Sequence, residues 1–153
     1  MVVQWMSRTF SELNTTELYK LLALRTDIFV VEQHCPYPEL DFKDTQQDVY
    51  HILGYEKHQL VAYARLLSPE VMGSNSVYIG RVAVLEKERS KGIGYALVAE
   101  CLKKCNEYWP EQSIQISAQF HLQDFYAQLG FSTISEKYME DGIEHIEMAY
   151  QNT

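Results

Sequence analysis

The stretch 77-VYIGRVAVLEKERSKGIGYALVAECL-102 predicts three elements in succession. Its first eight residues, VYIGRVAV, are rich in the β-branched side chains that favour a strand. From Ile93 onward the apolar residues recur three and four positions apart, which is the spacing of an amphipathic helix. A polar segment with Gly92 and Gly94 separates the two. We therefore expect a buried strand, a turn that contains glycine, and a long helix.

Residues 89–94, here called the glycine turn, have the features of an anion-binding site. The first four backbone N–H groups of a helix have no partner within the helix and carry the positive end of its dipole. Glycine lets a ligand come close to these groups because it has no Cβ. Arg89 and Lys91 add two positive charges. The turn therefore predicts a site for a phosphate or a pyrophosphate.

The spacing of the glycine turn excludes two common nucleotide-binding motifs. It reads Arg-x-x-Gly-x-Gly, which is not the Gly-x-x-x-x-Gly-Lys-Ser/Thr of a nucleoside triphosphate loop. It also lacks the third glycine and the downstream acidic residue of a dinucleotide-binding fold. We therefore expect a different phosphate-containing ligand.

Composition and charge exclude several classes of function. The 153 residues predict a single domain over 1–153, and the net charge of −8 argues against nucleic acid or an anionic membrane as partner. The first residues do not resemble a signal peptide, and no apolar run approaches the roughly 20 residues of a membrane span. Three cysteines, an odd number, favour reduced thiols and a cytoplasmic location. No His/Cys cluster predicts a metal site, and Cys101 and Cys105 are expected in the core.

The remaining chain predicts an alternation of strands and helices in the order β α β β β α β α β β. A first helix is expected after Asn14, whose side chain and that of Glu17 can form a capping box. Pro36 and Pro38 predict a long acidic loop over 35–49. The strands are expected at 2–10, 50–55, 60–67, 77–84, 113–118, 131–139 and 144–150, and two further helices begin near 93 and 121.

A second motif, Tyr126-Ala-Gln-Leu-Gly130-Phe131, follows the last helix-forming segment. Taken alone, Tyr126 is expected to be a core aromatic residue beside Phe125. The alternative is a catalytic role, because a phenol with a pKa of about 10 can give a proton to a departing thiolate.

The glycine turn, the Tyr-x-x-x-Gly-Phe motif and the order of elements together resemble the Gcn5-related N-acetyltransferase (GNAT) family. Four further stretches resemble its ElaA-like branch: Arg25-x-x-Ile-Phe-Val-Val-Glu32-Gln33-x-Cys35-Pro36-Tyr37, His51-Ile-Leu-Gly54, Ala62-Tyr63-Ala64-Arg65 and His121-Leu-Gln-x-Phe125-Tyr126. The resemblance covers nearly the whole chain. It implies an α/β GNAT fold, with a mixed, mostly antiparallel central sheet of about six to seven strands and helices on both faces.

The resemblance also implies an activity and a ligand. The protein is expected to transfer an acetyl group from acetyl-CoA to a primary amine of a small molecule or peptide, by direct attack in a ternary complex and without a metal. Tyr126 would be the acid that protonates CoA. The residues expected to bind the cofactor are Val82, Ala83 and Val84 (pantetheine), Arg89, Ser90, Lys91, Gly92, Ile93 and Gly94 (pyrophosphate), and Gln119 and Tyr126.

The general base is left open at this point. Many GNAT enzymes have a glutamate on the central strand, but this chain has Gly80-Arg81-Val82 there, and it has Gln119 where many have asparagine. The candidates are Glu32, His51 and His121, directly or through water. The absent glutamate also favours an alternative, a non-catalytic module that senses acyl-CoA. A third alternative is a synthase of acyl-homoserine lactones, although such enzymes are longer.

Three arginines lie where half-buried side chains are expected. Arg25 belongs to the apolar stripe of the first helix, and Arg65 and Arg81 lie on successive strands. Internal ion pairs are the favoured interpretation, and a clamp for the carboxylate of an amino acid or peptide acceptor is the alternative. The exposed last strands are compatible with a homodimer.

Overall fold

The computed structural model describes residues 2–150, which form a mixed sheet of eight strands with helices on both faces. The sheet order is β1-β2-β3-β4-β5-β8-β6, and β7 pairs with β8. All neighbouring strands are antiparallel except β4 and β5. The strands are β1 (Gln4–Arg8), β2 (Val49–Glu56), β3 (Gln59–Leu67), β4 (Ser76–Val84), β5 (Ser113–Gln119), β6 (Ser132–Thr133), β7 (Tyr138–Glu140) and β8 (Ile143–Tyr150).

Four α-helices connect the strands. They are α1 (Thr15–Thr26), α2 (Pro69–Met72), α3 (Ile93–Tyr108) and α4 (Gln123–Gln128). The predicted capping box starts α1: Asn14 Oδ1 accepts from the Glu17 N–H at 2.7 Å, and Glu17 Oε1 accepts from the Asn14 N–H at 3.0 Å. Within residues 2–150, no helix is long and apolar enough to cross a membrane.

Two apolar cores cover the two faces of the sheet. On one face, α3 packs Leu97, Val98 and Cys101 against the inner residues of the sheet. On the other face, α1 packs Leu21 and Leu24 against β2 and β3. From Ala62 to Ala64 the side chains of β3 alternate between the two cores, because successive residues of a strand point to opposite faces. The expected α/β architecture with helices on both faces is thus confirmed.

The structure differs from the sequence prediction in three places. The first helix continues as a π-helix over Asp27–Glu32, where an apolar stripe alone could not distinguish the two helical forms. The segment expected as a plain turn before β4 contains α2, which starts with Pro69 in its first turn. The expected strand 131–139 is divided into β6 and β7, so the sheet has eight strands instead of six or seven.

The strand β4 separates from β5 halfway along its length. The parallel ladder runs only from Ser76↔Ser113 to Ile79↔Ile116, although both strands continue. Opposite Ala64, β4 carries one extra residue, and Arg81 at that point has a φ of +52°. Such a bulge bends the strand and increases its twist. The two strands therefore diverge beyond Ile79 and leave a cleft between them.

Candidate active site

A cavity of about 1090 Å³ occupies the cleft between β4 and β5. Its walls are residues 80–84 of β4, residues 116–119 of β5, the start of α3 and part of α4. The segments 28–39 and 140–145 close its far side. Because β4 pairs with β5 only as far as Ile79, the edge of Val82, Ala83 and Val84 that faces β5 has no strand partner. A ligand with amide groups can pair with that edge.

Part of the glycine turn lines this cavity. Gly92 has a φ of +81° and precedes α3, and Ser90 has a φ of +67°. The first backbone hydrogen bond of the helix runs from the Ala96 N–H to the Gly92 carbonyl at 3.1 Å, and no side chain caps the helix. The N–H groups of the first turn are therefore available to an anion.

Both cations of the glycine turn are paired with carboxylates. Arg89 donates from both terminal nitrogens to Glu32, at 2.6 and 3.0 Å, and from Nε to the Val84 carbonyl at 2.9 Å. Lys91 Nζ donates to Glu88 at 2.9 Å. Arg89 lines the cavity and Lys91 does not. A diphosphate that used these cations would compete with Glu32 and Glu88 for them.

The side chain of Ile93 also lies outside the cavity lining. It is only 4 % exposed and packs in the core beneath α3, so that Ile93 can offer a ligand only its backbone. Ser90, Gly92 and Gly94 all line the cavity.

Tyr126 lies on α4 in the cavity wall, surrounded by aromatic rings. Its ring contacts Phe125 and Phe131 edge to face, at centroid distances of 5.0 and 5.7 Å. The residue is 3 % exposed, and burial, with a smaller effect of the nearby Cys101, raises the pKa of its hydroxyl. Tyr126 is therefore both a core aromatic residue and a protonated hydroxyl at the cavity, so the two interpretations of the motif are compatible.

His51, predicted as a candidate base, lies outside the cavity lining. It is fully buried, and its Nδ1 and Nε2 are 2.6 Å from the Tyr63 hydroxyl and 3.1 Å from the Asp44 carbonyl oxygen. Burial lowers the pKa of the ring, against the opposing effect of Asp44. Because both nitrogens are engaged within the protein, this arrangement does not fit a base that must contact an amine.

Glu32 and His121 both line the cavity. The carboxylate of Glu32 is bound to Arg89 through both oxygens. His121 is exposed, and its Nε2 is 2.8 Å from Oε1 of Gln119, whose amide nitrogen in turn contacts Gln33 at 3.3 Å. Gln119 thus lines the cavity and links β5 to the segment 28–39 across it.

The three arginines bind the acidic loop that follows the π-helix. Arg25, with no exposed surface, donates to Glu39 at 2.8 Å and to Asp44 at 2.7 Å. Arg65 binds Asp41 at 2.8 Å and Asp44 at 3.0 Å, and Arg81 binds Glu39 at 2.8 Å. The favoured prediction of internal ion pairs is thus confirmed. The network holds the loop against the sheet and so shapes the cavity wall.

Two carboxylates of this network, those of Asp41 and Asp44, have a lowered pKa. Burial by itself would raise the pKa of Asp41, but the hydrogen bonds and charge of Arg65 lower it to about 2. Asp44 also has a lowered pKa, because Arg25 and Arg65 outweigh its burial. Arginine forms such pairs through several donors at once, which makes the loop geometry specific.

Several residues of the cavity carry no signal in the sequence. Glu39, Tyr78, Glu140 and His145 all line it. They belong to a loop and to three strands, β4, β7 and β8, so only the assembled sheet brings them to one cavity. Among residues 2–150, no group of three or more His, Cys, Asp or Glu side chains could hold a metal ion.

Comparison with known proteins identifies the fold and the family. The sequence model described as "Acetyltransferase (GNAT) domain" matches residues 28–152. Protein ElaA of Escherichia coli (strain K12) is 44 % identical over 148 residues, which cover 97 % of this chain and 96 % of that protein. The crystal structure of an acyl-CoA N-acyltransferase from Pseudomonas aeruginosa superposes with a TM-score of 0.93 at 40 % identity, covering 97 % and 99 % of the two chains.

A more distant structure shares the fold alone. A CoA-dependent acyl-homoserine lactone synthase superposes with a TM-score of 0.80 at 18 % identity, covering 99 % of this chain and 83 % of that one. The family match covers most of the chain, and the ElaA relative covers 97 % of it. The chain belongs to the GNAT family of acyltransferases and, within it, to the ElaA-like branch.

Proposed function

We propose that this protein is an acetyl-CoA-dependent N-acetyltransferase that acts on a primary amine of a small molecule or peptide. One observation carries the proposal: a single cavity is lined by the glycine turn with its free amides, by the part of β4 that has no pairing with β5, and by Tyr126. These groups suit, in turn, the diphosphate, the pantetheine and the thioester of CoA. The reaction takes place by direct attack in a ternary complex, with no metal.

The backbone of this chain supplies the binding and orientation of the donor. Residues 89–94 hold the diphosphate, with the first-turn amides of α3 as donors and Arg89 exchanging its carboxylate partner for phosphate. Backbone groups of Val82, Ala83 and Val84 pair with the pantetheine amides, and an N–H of this strand polarises the thioester carbonyl. Holding thioester and amine together lowers the barrier by proximity.

Tyr126 assists the departure of the CoA sulfur. Its raised pKa keeps the hydroxyl protonated at neutral pH. A thiolate that forms in the same apolar surroundings is also poorly solvated, so its pKa rises as well and the proton transfer becomes less unfavourable. A general acid contributes about 100-fold or more to such a step. The free thiols of Cys35, Cys101 and Cys105 support a cytoplasmic location for this chemistry.

The test measures CoA release from acetyl-CoA and from longer acyl-CoA donors, against a panel of primary amines, beside calorimetric titration with CoA. We expect CoA binding and amine-dependent release, fastest with the acetyl donor. Tyr126→Phe should lower kcat about 100-fold and leave CoA affinity within about twofold. Tyr19→Phe, at an exposed position outside the cavity, is the control.

Each possible result tests a different part of the proposal. Equal turnover by Tyr126→Phe would remove the acid role. Binding of CoA without release for any amine would favour the alternative of a non-catalytic acyl-CoA sensor. Absence of CoA binding would reject the proposed function as a whole.

A further inference from the structure

His145 is a buried histidine in the wall of the cavity, distant in sequence from the glycine turn and from Tyr126. It lies on β8, paired with Gln119 of β5 on one side and with Tyr138 of β7 on the other. Gln119 ends β5, beyond the point where β4 and β5 separate. The pairing therefore places His145 beside the open part of the cleft, where its 7 % exposed surface belongs to the cavity lining.

One nitrogen of the His145 ring is fixed by the backbone. Nδ1 lies 2.8 Å from the Ile143 carbonyl oxygen, and a carbonyl can only accept a hydrogen bond. Nδ1 must therefore carry the proton, and the neutral ring keeps its lone pair on Nε2. The ring also stacks on Tyr138, with centroids 6.1 Å apart, which restricts its rotation. Nε2 is the nitrogen left to accept a proton from a ligand.

The carboxylate of Glu140 lies near the second ring nitrogen of His145. Glu140 Oε2 is 3.6 Å from Nε2, too far for a hydrogen bond to the neutral ring but close enough to stabilise an imidazolium. Glu140 also lines the cavity. A histidine with one fixed N–H and an acidic neighbour is the arrangement of a general base.

The other candidates for this role are less well placed. Glu32 is held by Arg89, and His51 lies outside the cavity with both nitrogens engaged. His121 lines the cavity but is exposed, with its Nε2 bound to the Gln119 side chain. His145 combines burial, a single available nitrogen and a position in the wall of the cleft.

We propose that His145 is the general base that activates the acceptor amine, an inference that rests on the proposed function. Nε2 removes one proton from the ammonium group, and the resulting amine forms the C–N bond to the acetyl carbon. The C–S bond breaks with its electron pair on sulfur, which takes a proton from Tyr126. The second proton lost by the attacking nitrogen restores Tyr126, and His145 returns the first to solvent. The products are the amide, CoA as its thiol and one proton.

The test compares two acceptors that differ in whether a proton must be removed before attack. One is the alkylamine that the unaltered protein acetylates fastest, and the other is hydroxylamine, which is largely unprotonated at neutral pH. We expect His145→Gln to lower kcat about 100-fold with the alkylamine and less than about fivefold with hydroxylamine, with CoA affinity unchanged. His58→Gln, at an exposed histidine outside the cavity, should leave both rates unchanged.

A second variant makes the test independent of the burial of His145. Glu140 is the last residue of β7 and its side chain is 48 % exposed, so Glu140→Gln is expected to fold. It should lower the alkylamine rate several-fold, because an exposed charge pair is worth only a modest amount, and spare the hydroxylamine rate. The same loss with both acceptors would assign His145 a structural role and overturn the inference.

Two further outcomes also overturn it. Unchanged rates in His145→Gln would exclude this residue as the base, and a selective loss in His121→Gln instead would assign the role to His121. If the unaltered protein releases no CoA with any amine, the proposed function fails, and the inference fails with it. If the unaltered protein releases CoA and His145→Gln leaves both acceptor rates unchanged, only the assignment of the base fails.

Discussion

Gly94→Ala should separate the stability of this protein from its affinity for CoA. Gly94 is the second residue of α3 and does not have a positive φ. An added Cβ would lie 3.6 Å from Phe125 Cζ and 3.8 Å from Val84 Cγ2, which are ordinary contacts. The folded state therefore accepts alanine, while the unfolded chain loses conformational freedom. We expect the free energy of unfolding to rise by about 0.5 kcal/mol.

The same substitution should weaken CoA binding. Gly94 lines the cavity at the free amides of the first helical turn, where the diphosphate is proposed to approach the backbone. A methyl group at this point keeps the phosphate oxygens from hydrogen-bond distance of the N–H groups. The loss of one charge-assisted hydrogen bond, about 1.5 kcal/mol or more, corresponds to a Kd at least about tenfold higher.

Urea unfolding and calorimetric titration with CoA measure the two effects. Ala99→Gly, at an exposed position of the same helix, is the matched control: it should lower stability by about 1 kcal/mol and leave CoA affinity unchanged. A Gly94→Ala protein that binds CoA within twofold of the unaltered protein would refute the proposed approach of the diphosphate to these amides. A loss of stability would refute the reasoning about the backbone.

Two further predictions concern the buried charges. Arg25→Met should lower the free energy of unfolding by about 3–5 kcal/mol in urea titrations, because it leaves buried carboxylates with fewer partners. Arg8→Met is the control and should change it by less than about 0.5 kcal/mol, since Arg8 donates to the Ser7 carbonyl and the Met6 sulfur. A loss below about 1 kcal/mol for Arg25→Met would contradict the argument. The free energy of unfolding should also fall as the pH drops from about 7 to 5. Because the pKa of buried His51 is lowered, the unfolded chain binds a proton in this range that the folded protein does not. The stability is therefore complete above the unfolded pKa of about 6.5 and decreases below it, by up to about 1.4 kcal/mol per pH unit. Urea midpoints across this range should show a flatter slope in His51→Gln, and equal slopes would exclude His51 as the cause. Asp41 acts at lower pH, since its contribution is present above about 3.8 and is lost as the pH falls towards about 2.

The parts of the site that the sequence predicted are those with a local physical cause. The glycine turn follows a strand and opens a helix, and each of these features can be recognised within a few residues. The capping of α1 by Asn14 and Glu17 was predictable for the same reason. It was also predictable that the arginines have acidic partners within the protein, because an arginine in an apolar stripe needs a carboxylate.

Several features could not be predicted because they depend on contacts between distant residues. Local patterns indicate that Arg25 needs an acid, but not that Glu39 and Asp44 supply it. His51 begins a strand in a suitable sequence context, yet the fold encloses it between Tyr63 and the Asp44 carbonyl. No sequence motif marks His145 as a residue of the site.

The amino-acid sequence by itself determined the family, most of the order of strands and helices and the position of the glycine turn, because periodicity, capping and glycine spacing act over a few residues. Only the tertiary structure decided where β4 leaves β5, which carboxylates neutralise the buried arginines, and that His145 faces the cleft. Those outcomes depend on the register of strands that are far apart along the chain. A shift of one residue in that register would turn His145 to the other face of the sheet.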